Sequence, residues 1–170
     1  MKIKITFLCL LVFLILVNAA PTLSQSQGRP FQGCIVTIEP IREGEDSSRV
    51  VGRQCYGNVT EFNQELSATA NYIVVSFFNN TNYVNQLIVY SGPSTCTSGS
   101  SYGVADVGAS LNDRFESAYT NYTNSAGCHK VTVYENIYYN GALLQCDGRS
   151  SCNTFGILNN QVSSWKAQRP

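Results

Sequence analysis

Tyr134-Glu135-Asn136-Ile137-Tyr138-Tyr139-Asn140-Gly141, read together with Asn159-Asn160-Gln161-Val162-Ser163-Ser164, is the part of this sequence that decides the fold. The first stretch follows a predicted strand, His129 to Tyr134, and carries aromatic side chains that can brace a turn. Gly141 permits a backbone angle that other residues resist. The second stretch has two short polar side chains, two spacer residues and two hydroxyls that lead into another strand. The pair predicts a braced turn and a polar loop, each joined to a strand.

A second copy of this pattern lies upstream. Phe78 to Asn85 repeats the aromatic spacing, with Asn85 at the position of Gly141, and Asn112 to Ser117 repeats the polar loop. Asparagine tolerates a positive φ better than most residues, so this replacement is mild. A sheet of four strands buries one face only when a second sheet covers it. The repeat therefore predicts one domain built from two similar halves, from about residue 71 onward.

The repeated pattern resembles the Greek-key motif of the βγ-crystallin superfamily. That motif has an aromatic residue, four residues, an aromatic residue, one residue and a glycine, followed later by Asn/Asp-Asn/Asp-x-x-Ser/Thr-Ser. The resemblance is to single two-motif domains of the secreted microbial and protist type. It implies an all-β fold, a two-sheet Greek-key sandwich of eight strands over residues 71–170. The predicted strands are Tyr72 to Phe78, Gln86 to Tyr90, Gly103 to Val107, Arg114 to Thr120, His129 to Tyr134, Ala142 to Cys146, Thr154 to Leu158 and Val162 to Ala167.

Residues 31–70 lie outside the resemblance and form a predicted N-terminal extension. Cys34 to Glu39 and Arg49 to Tyr56 have the composition of a β-hairpin. Asn58 to Thr69 predicts a short helix, with Thr60 as its N-cap. The extension packs on the sandwich as a disulfide-pinned unit in one interpretation. In the other it is a removable prosegment, although the sequence has no dibasic processing site.

The N-terminus has the features of a secretory signal peptide, so we expect a secreted, extracellular protein. Lys2 and Lys4 precede an apolar run from Phe7 to Val17, and small residues end at Ala19. We therefore expect cleavage after residue 19 and a flexible lead-in over residues 20–30. A membrane anchor is the alternative, but the apolar run is short for a membrane span and no later segment is apolar enough.

The charge balance argues against a nucleic-acid partner. Removal of the first nineteen residues leaves nine Lys and Arg side chains against eleven Asp and Glu. Nucleic-acid binding requires a basic face, which this composition does not supply. The expected partners are calcium and an extracellular protein or cell surface.

Six cysteines remain after cleavage, and an even number in a secreted chain indicates disulfides. Six cysteines allow fifteen pairings. Proximity along the chain favours Cys34–Cys55 and Cys146–Cys152, which leaves Cys96–Cys128. A zinc site is not expected, because there is no C-x-x-C pair and only one histidine. Three sequons predict N-glycosylation, at Asn58, Asn79 and Asn121.

The resemblance also implies calcium binding, because the polar loops of the family hold calcium with oxygen ligands from both motifs. The implied side-chain ligands are Asn112, Asp113, Asn159, Asn160 and Ser163. The implied carbonyl ligands are Arg114 and Gln161 in the loops and Asn79 and Glu135 in the aromatic turns. Glu116 is a further candidate ligand that departs from the family pattern, since it stands where a hydroxyl is usual. Its carboxylate is either a stronger ligand than a hydroxyl or too long for the site. The low charge predicts weak affinity, about 10⁻⁴ to 10⁻³ M, and one site rather than two.

The alternative is that the motif is only structural. In that interpretation Ser117 and Ser164 tie the aromatic turns to the sheet. In either interpretation, we expect Trp165 to lie in the core. No enzyme is expected, because His129 is the only imidazole and follows a cysteine predicted to form a disulfide.

Small proteins of this fold also include metalloproteinase inhibitors, killer toxins and calcium-dependent cell-adhesion proteins. An inhibitor would need an exposed rigid loop, for which residues 91–101 and 147–151 are the candidates.

Overall fold

The computed structural model describes residues 32–69, 71–96, 100–120, 128–146 and 152–169. The predicted signal peptide and lead-in, the Asn121 sequon and the candidate loop at 147–151 lie outside these ranges. Within them the chain forms one helix, α1 (Val59–Ala68), and nine strands. The strands are β1 (Gly33–Ile38), β2 (Val50–Tyr56), β3 (Tyr72–Phe78), β4 (Gln86–Gly92), β5 (Ser101–Val104), β6 (Ser117–Tyr119), β7 (Lys130–Asn136), β8 (Asn140–Cys146) and β9 (Ser164–Gln168).

The strands form two sheets, and each half of the repeat contributes residues that pair with the other half. One sheet has the order β2-β1-β4-β3-β6, and the other has the order β5-β9-β7-β8. β5 belongs to the first half but pairs with β9 of the second half. In return, an isolated bridge joins Ala118 of β6 to Cys152. Neither half is therefore complete without the other, as the two-motif sandwich predicts.

Large aromatic side chains fill the space between the sheets. Trp165 of β9 is fully buried and its ring lies 4.7 Å from that of Tyr90 and 5.6 Å from that of Phe77. Phe77 stacks on Phe115 with ring centroids 4.5 Å apart. The prediction that Trp165 is a core residue is confirmed. Such aromatic pairs stabilise a core beyond the area that they bury.

The N-terminal hairpin is part of the first sheet. β1 runs parallel to β4, with Cys34 opposite Ile88 and Val36 opposite Tyr90, and antiparallel to β2 on its other side. Because successive residues of a strand face opposite sides, one face of β1 contributes Val36 to the main core. The other face of the sheet carries a small separate cluster that includes Phe62 of α1.

The N-cap of the helix lies two residues earlier than the sequence predicts. Asn58 is the N-cap, and its side-chain oxygen accepts a hydrogen bond from the backbone N–H of Thr60 at 2.7 Å. The assignment of Thr60 as N-cap was wrong. Asparagine satisfies free helical N–H groups at least as well as threonine, so the earlier residue takes the cap.

The predicted strand from Thr154 to Leu158 is also wrong, because the chain there forms a 3-10 turn at Gly156–Leu158. Two side chains bind backbone N–H groups that a strand would use for pairing. Thr154 Oγ1 accepts from the Gly156 N–H at 3.1 Å, and Asn159 Oδ1 accepts from the Phe155 N–H at 2.9 Å. Local side-chain bonds of this kind compete with a sheet ladder.

The three predicted cysteine pairings are confirmed. The Cα–Cα distances are 4.0 Å for Cys34–Cys55, 4.8 Å for Cys96–Cys128 and 5.8 Å for Cys146–Cys152. The first pair joins β1 to β2 directly across the ladder. In the described ranges, no helix has the length and apolarity to cross a bilayer.

Candidate functional site

The two aromatic turns have matching backbone and ring geometry. In the first turn the rings of Phe78 and Tyr83 lie 5.7 Å apart at 68°, and in the second those of Tyr134 and Tyr139 lie 5.5 Å apart at 67°. Positive φ angles occur at equivalent positions, which are Asn82, Tyr83 and Asn85 in the first turn and Tyr138, Tyr139 and Gly141 in the second. Asparagine thus adopts the left-handed conformation that glycine adopts in the other turn.

A buried serine at the end of each polar loop ties its aromatic turn to the sheet. The hydroxyl of Ser164 donates to the carbonyl of Asn136 at 2.6 Å and accepts from the N–H of Tyr139 at 3.1 Å. The first motif repeats both bonds, at 2.6 and 3.2 Å, among Ser117, Asn80 and Tyr83. Both serine side chains are fully buried. We call these two sets of contacts the serine clamps.

The polar loops cross from one motif to the other. The second residue of each loop has a left-handed backbone, with φ of 57° at Asp113 and 56° at Asn160. The Asp113 N–H donates to the carbonyl of Val162 at 3.3 Å, and the Asn160 N–H donates to the carbonyl of Phe115 at 2.9 Å. The loop that contains Asp113 therefore lies beside Ser163, and the loop that contains Asn160 lies beside Glu116. Ser163 and Glu116 are the fifth residues of the two six-residue polar loops.

The Ser163 site consists of Ser163, Glu135 and Asp113. The Ser163 hydroxyl donates to the carbonyl of Glu135 at 2.6 Å, and the Ser163 N–H donates to the carbonyl of Tyr134 at 3.0 Å. The carboxylate of Glu135 accepts from the N–H of Ala142 at 3.1 Å. The loop contact of Asp113 with Val162 places an exposed carboxylate-bearing residue one position from Ser163.

The Glu116 site is the equivalent region of the first motif and contains Glu116, Asn160 and Asn79. The amide of Asn160 donates to the Glu116 carboxylate at 2.6 Å. The Glu116 N–H donates to the carbonyl of Phe78 at 2.9 Å, as Ser163 does to Tyr134. The Asn79 N–H donates to the carbonyl of Asn85 and closes the aromatic turn. Here a side-chain hydrogen bond from the other motif occupies a carboxylate oxygen.

Comparison with known proteins gives structural neighbours alone. No family model matches the sequence, and no curated protein matches it. The structure is similar to a βγ-crystallin from an archaeon, with 20% identity and a TM-score of 0.38 over 57% of this chain and 99% of that chain. It is also similar to a structure described under the evolution of the eye lens βγ-crystallin domain fold, with 16% identity and a TM-score of 0.42 over 58% and 90% of the two chains. The N-terminal domain of Protein S matches with 20% identity and a TM-score of 0.39 over 59% and 99%.

The fold class follows from the internal geometry of this chain. Two aromatic turns, two serine clamps and the exchange of strands between sheets repeat with the same contacts. The domain is βγ-crystallin-like. The predicted resemblance is confirmed at the level of the fold, with residues 33–56 adding two strands to one sheet of the sandwich.

Other residues implied as calcium ligands make local contacts in the βγ-crystallin-like domain. Asn159 uses its side-chain oxygen to close the turn before it, at 2.9 Å from the Phe155 N–H. Gln161 donates its amide to the carbonyl of Ile157 at 3.0 Å, and the Arg114 guanidinium donates to the carbonyl of Ser110 at 3.0 Å. The Asn112 N–H donates to the carbonyl of Gly108. The side-chain oxygen of Asn159 thus accepts hydrogen bonds within the protein, from the Phe155 N–H and the Thr154 hydroxyl.

The titratable side chains of the described chain do not form a metal cluster. No group of three or more His, Cys, Asp and Glu side chains that could hold a metal occurs in the ranges given above. A cation at the Ser163 site would therefore rely on hydroxyl and carbonyl oxygens beside one or two carboxylates. Calcium accepts such ligands, whereas zinc prefers nitrogen and sulfur.

One of the two loops named as inhibitor candidates is partly buried. Ser91 and Gly92 belong to β4 and are buried, and Cys96 is fully buried. The hydroxyl of Tyr102 donates to the carbonyl of Ser94 at 2.7 Å, which holds this part of the segment against the sandwich. Among the described residues of the segment, Pro93 is the exposed one.

The serine clamps give a stability prediction. Ser164→Ala removes a donor and an acceptor, and leaves the Asn136 carbonyl and the Tyr139 N–H without their partner. We expect the free energy of unfolding to fall by about 1–2 kcal/mol, and Ser117→Ala to have a similar effect. Urea unfolding followed by circular dichroism measures both. Ser110→Ala is the matched control, because its exposed hydroxyl is not part of a clamp. A loss below about 0.5 kcal/mol in both clamp variants would contradict the role of the clamps.

Proposed function

We propose that this protein is a secreted, disulfide-bonded βγ-crystallin-like protein that binds calcium weakly at the Ser163 site. The bound cation stabilises the fold and takes no part in catalysis. The observation that carries the proposal is the 2.6 Å contact between the Ser163 hydroxyl and the Glu135 carbonyl, beside a loop that brings Asp113 from the other motif. Hydroxyl, carbonyl and carboxylate oxygens are all ligands that calcium accepts.

Two oxygens of the Ser163 site, the Ser163 hydroxyl and the Glu135 carbonyl, suit a cation because they already lie 2.6 Å apart. Two oxygens in hydrogen-bond contact can both turn lone pairs toward the same ion, since a hydroxyl proton can rotate away. Asp113 contributes negative charge from an exposed position, so binding requires little desolvation of its carboxylate. The carbonyl of Arg114 and the side chain of Asn112 lie in the same loop and are the further ligands that we propose.

The Glu116 site is the weaker candidate. A cation there must displace the 2.6 Å hydrogen bond between the Asn160 amide and the Glu116 carboxylate. The amide would also have to turn so that its oxygen, and not its nitrogen, faces the ion. Asn79, whose carbonyl would be the aromatic-turn ligand of this site, is also the acceptor residue of a glycosylation sequon. We therefore propose that only the Ser163 site binds calcium. The hydrogen bond between Asn160 and Glu116 instead stabilises the packing of the two motifs against each other.

Calcium titration tests the proposal. We expect the wild-type protein to bind calcium with a dissociation constant of about 0.1–1 mM, as low-charge extracellular sites do. At a tenfold excess over that constant, occupancy adds about 1.4 kcal/mol to the free energy of unfolding. Calorimetry measures the binding, and melting temperature in calcium against EDTA measures the stabilisation. Magnesium at the same concentration is expected to stabilise less, because it demands a stricter geometry.

Variants locate the site. Ser163→Ala and Asp113→Asn are expected to weaken binding by at least fivefold, and Asn112→Ala tests the adjoining side chain. Glu116→Gln is the matched control, because it removes one carboxylate from the other motif. Each variant is compared with itself in EDTA, so that the lost Ser163–Glu135 hydrogen bond does not affect the result. No calcium-dependent change in wild type, or equal loss in Glu116→Gln, would contradict the Ser163 site.

We further propose that Asn58 is the sequon best placed for an N-glycan. Asn58 is exposed and its Oδ1 atom caps α1 by accepting from the Thr60 N–H. A glycan attaches through Nδ2 and leaves this oxygen free, so modification and capping are compatible. Asn79 is half-buried in the first aromatic turn, close to the Glu116 site.

A further inference from the structure

An open cavity of about 380 Å³ lies between the N-terminal hairpin and the loop that leads into the first polar loop. We call it the hairpin cavity. Its lining includes Arg53 and the Cys34–Cys55 disulfide on one side and Leu111 and Arg114 on the other. These residues are distant in sequence and meet only because β1 and β2 extend the first sheet past the edge of the sandwich. Ser163, Glu135 and Asp113 do not line it, but Arg114, whose carbonyl we propose as a further calcium ligand, does.

The strand register explains why Arg53 borders this cavity. Arg53 of β2 lies opposite Val36 of β1, and Cys55 lies opposite Cys34. Residues opposite each other on paired strands point to the same side of a sheet. Val36 lies in the main core, so Arg53 is on the core-facing side of the sheet, one strand beyond it. Because β2 is the last strand of the sheet, this side chain stands at the open margin of the core.

Arg114 approaches the cavity from the polar loop. Its guanidinium donates to the carbonyl of Ser110 at 3.0 Å, and Ser110 also lines the cavity. A guanidinium has five N–H donors, so this single bond positions the group and leaves donors for a ligand. Arg114 is half-buried and Arg53 is exposed, so both side chains border the cavity at its open, solvent-facing margin.

The lining combines positive charge with apolar surface. Leu87 and Leu111 are 6% and 4% exposed, respectively, and both contribute to the wall. Among the described lining residues there are two arginines and no Asp or Glu. The ion pairs found in the described part of the chain join Glu39 to Arg42 and Arg49, so neither Arg53 nor Arg114 has a carboxylate partner there.

We propose that the hairpin cavity binds an organic anion that has a short apolar body, such as a medium-chain carboxylate. The carboxylate accepts hydrogen bonds from Arg53 and Arg114, which match its planar, two-oxygen geometry. The apolar body lies against Leu87, Leu111 and the disulfide. A volume of about 380 Å³ suits a small ligand and is too small for a folded partner.

Octanoate is the probe, and the titration is carried out in EDTA so that calcium bound to carboxylate cannot mimic the effect. The failure of this proposal is then separate from the failure of calcium binding. We expect octanoate to bind at least fivefold more tightly than acetate, which lacks the apolar body, and than octanol, which lacks the charge. Isothermal calorimetry measures all three. Equal affinity for octanoate and octanol would overturn the role of the arginines.

Arginine variants place the ligand. Arg53→Gln and Arg114→Gln are each expected to weaken octanoate binding at least fivefold. Arg169→Gln is the matched control, because it makes the same change at an exposed residue outside the cavity lining. Arg53→Lys keeps the charge and is expected to retain more affinity than Arg53→Gln. Octanoate affinity that is unchanged in both Gln variants, or lowered equally in Arg169→Gln, would overturn the proposal.

Salt dependence gives a test that needs no variant. A rise in ionic strength from about 0.02 to about 0.5 M shortens the screening length several-fold and weakens contacts between charges at an open site. We expect octanoate binding to weaken at least threefold over this range and octanol binding to stay the same or strengthen. Octanoate binding that is independent of salt would overturn the proposal, even if a Gln variant failed to fold.

Discussion

A chain that begins at Asn71, and so lacks β1, β2 and α1, is expected not to fold cooperatively. The βγ-crystallin-like pattern covers only what remains, but the first sheet is not complete without the hairpin. β1 lies between β2 and β4, and its residues Val36 and Ile38 belong to the main core, with exposures of 3% and 0%. Removal of β1 opens the hydrogen-bonding edge of β4 and exposes the buried residues beside it.

The hairpin also reaches the second sheet through the turn between β1 and β2. The Ser48 N–H donates to the carbonyl of Gly103 in β5 at 2.7 Å, and the Ile41 N–H donates to the carbonyl of Ser101 at 2.8 Å. The hydroxyl of Ser48 accepts from the Gly103 N–H at 3.1 Å. The segment thus pairs with β4 in one sheet and covers the edge of β5 in the other.

The expected loss is large because several contributions disappear together. Full burial of one Val or Ile side chain contributes about 1.5–3 kcal/mol, and each hydrogen bond contributes about 0.5–1.5 kcal/mol. The total exceeds about 5 kcal/mol, which is the entire stability of many small domains. Thermal unfolding and near-ultraviolet circular dichroism of the shortened chain measure the effect.

The control is a chain that begins at Gln32, which keeps every element of the sandwich and removes only the residues before it. This chain is expected to unfold cooperatively, with a melting temperature close to that of the chain cleaved after Ala19. If the chain from Asn71 melted cooperatively within about 5 °C of the control, residues 31–70 would act as a removable prosegment. That result would contradict the integral role that the contacts indicate.

The turns and serines of the repeat were predictable because their constraints are local. A positive φ favours Gly or Asn over most other residues, and the last positive-φ position of each turn has one of them, with φ of 56° at Asn85 and 82° at Gly141. The pairing of β1 with β4 was not predictable in the same way. A strand pattern indicates an extended chain and a buried face but does not name the neighbouring strand, which is chosen by non-local packing.

The candidate site shows the same division between local and non-local information. The polar loops were found from their spacing, but the sequence does not say that Asn160 contacts Glu116 in the other motif. It also gives no sign that Asn159 closes the turn at Phe155, apart from the polar residue Thr154 that shares the contact at 3.3 Å. The hairpin cavity was missed entirely. Its two arginines, at positions 53 and 114, meet only through the extension of the first sheet.

The stability of the domain is expected to fall steeply at alkaline pH because of Tyr90. This side chain lies between the sheets with 2% exposure, and its burial raises the pKa of Tyr90 to about 12 from the usual 10.0. In the folded state the buried phenol therefore keeps its proton between these two values. In the unfolded state the phenol is in water and loses its proton near its ordinary pKa.

The sign of the effect follows from the proton balance. Between about pH 10 and 12 the folded chain binds more protons at Tyr90 than the unfolded chain, so the free energy of unfolding decreases as pH rises. The slope is about 1.4 kcal/mol per pH unit for one group, which amounts to about 2–3 kcal/mol over the whole range. Below the ordinary pKa both states are protonated, and this contribution to the pH dependence vanishes.

Tyr90→Phe isolates this contribution from that of the other tyrosines. Burial also raises the pKa values of Tyr139 and Tyr56, so the wild-type curve alone does not identify one residue. We expect the variant to lose less stability than wild type between about pH 10 and 12, with the difference approaching 2–3 kcal/mol at the upper end. Urea unfolding at a series of pH values, with brief exposure and a return to pH 8 to confirm that the disulfides survive, measures both proteins. Parallel curves for the two proteins would show that Tyr90 ionises without unfolding the core, which would contradict its position between Trp165 and Phe77.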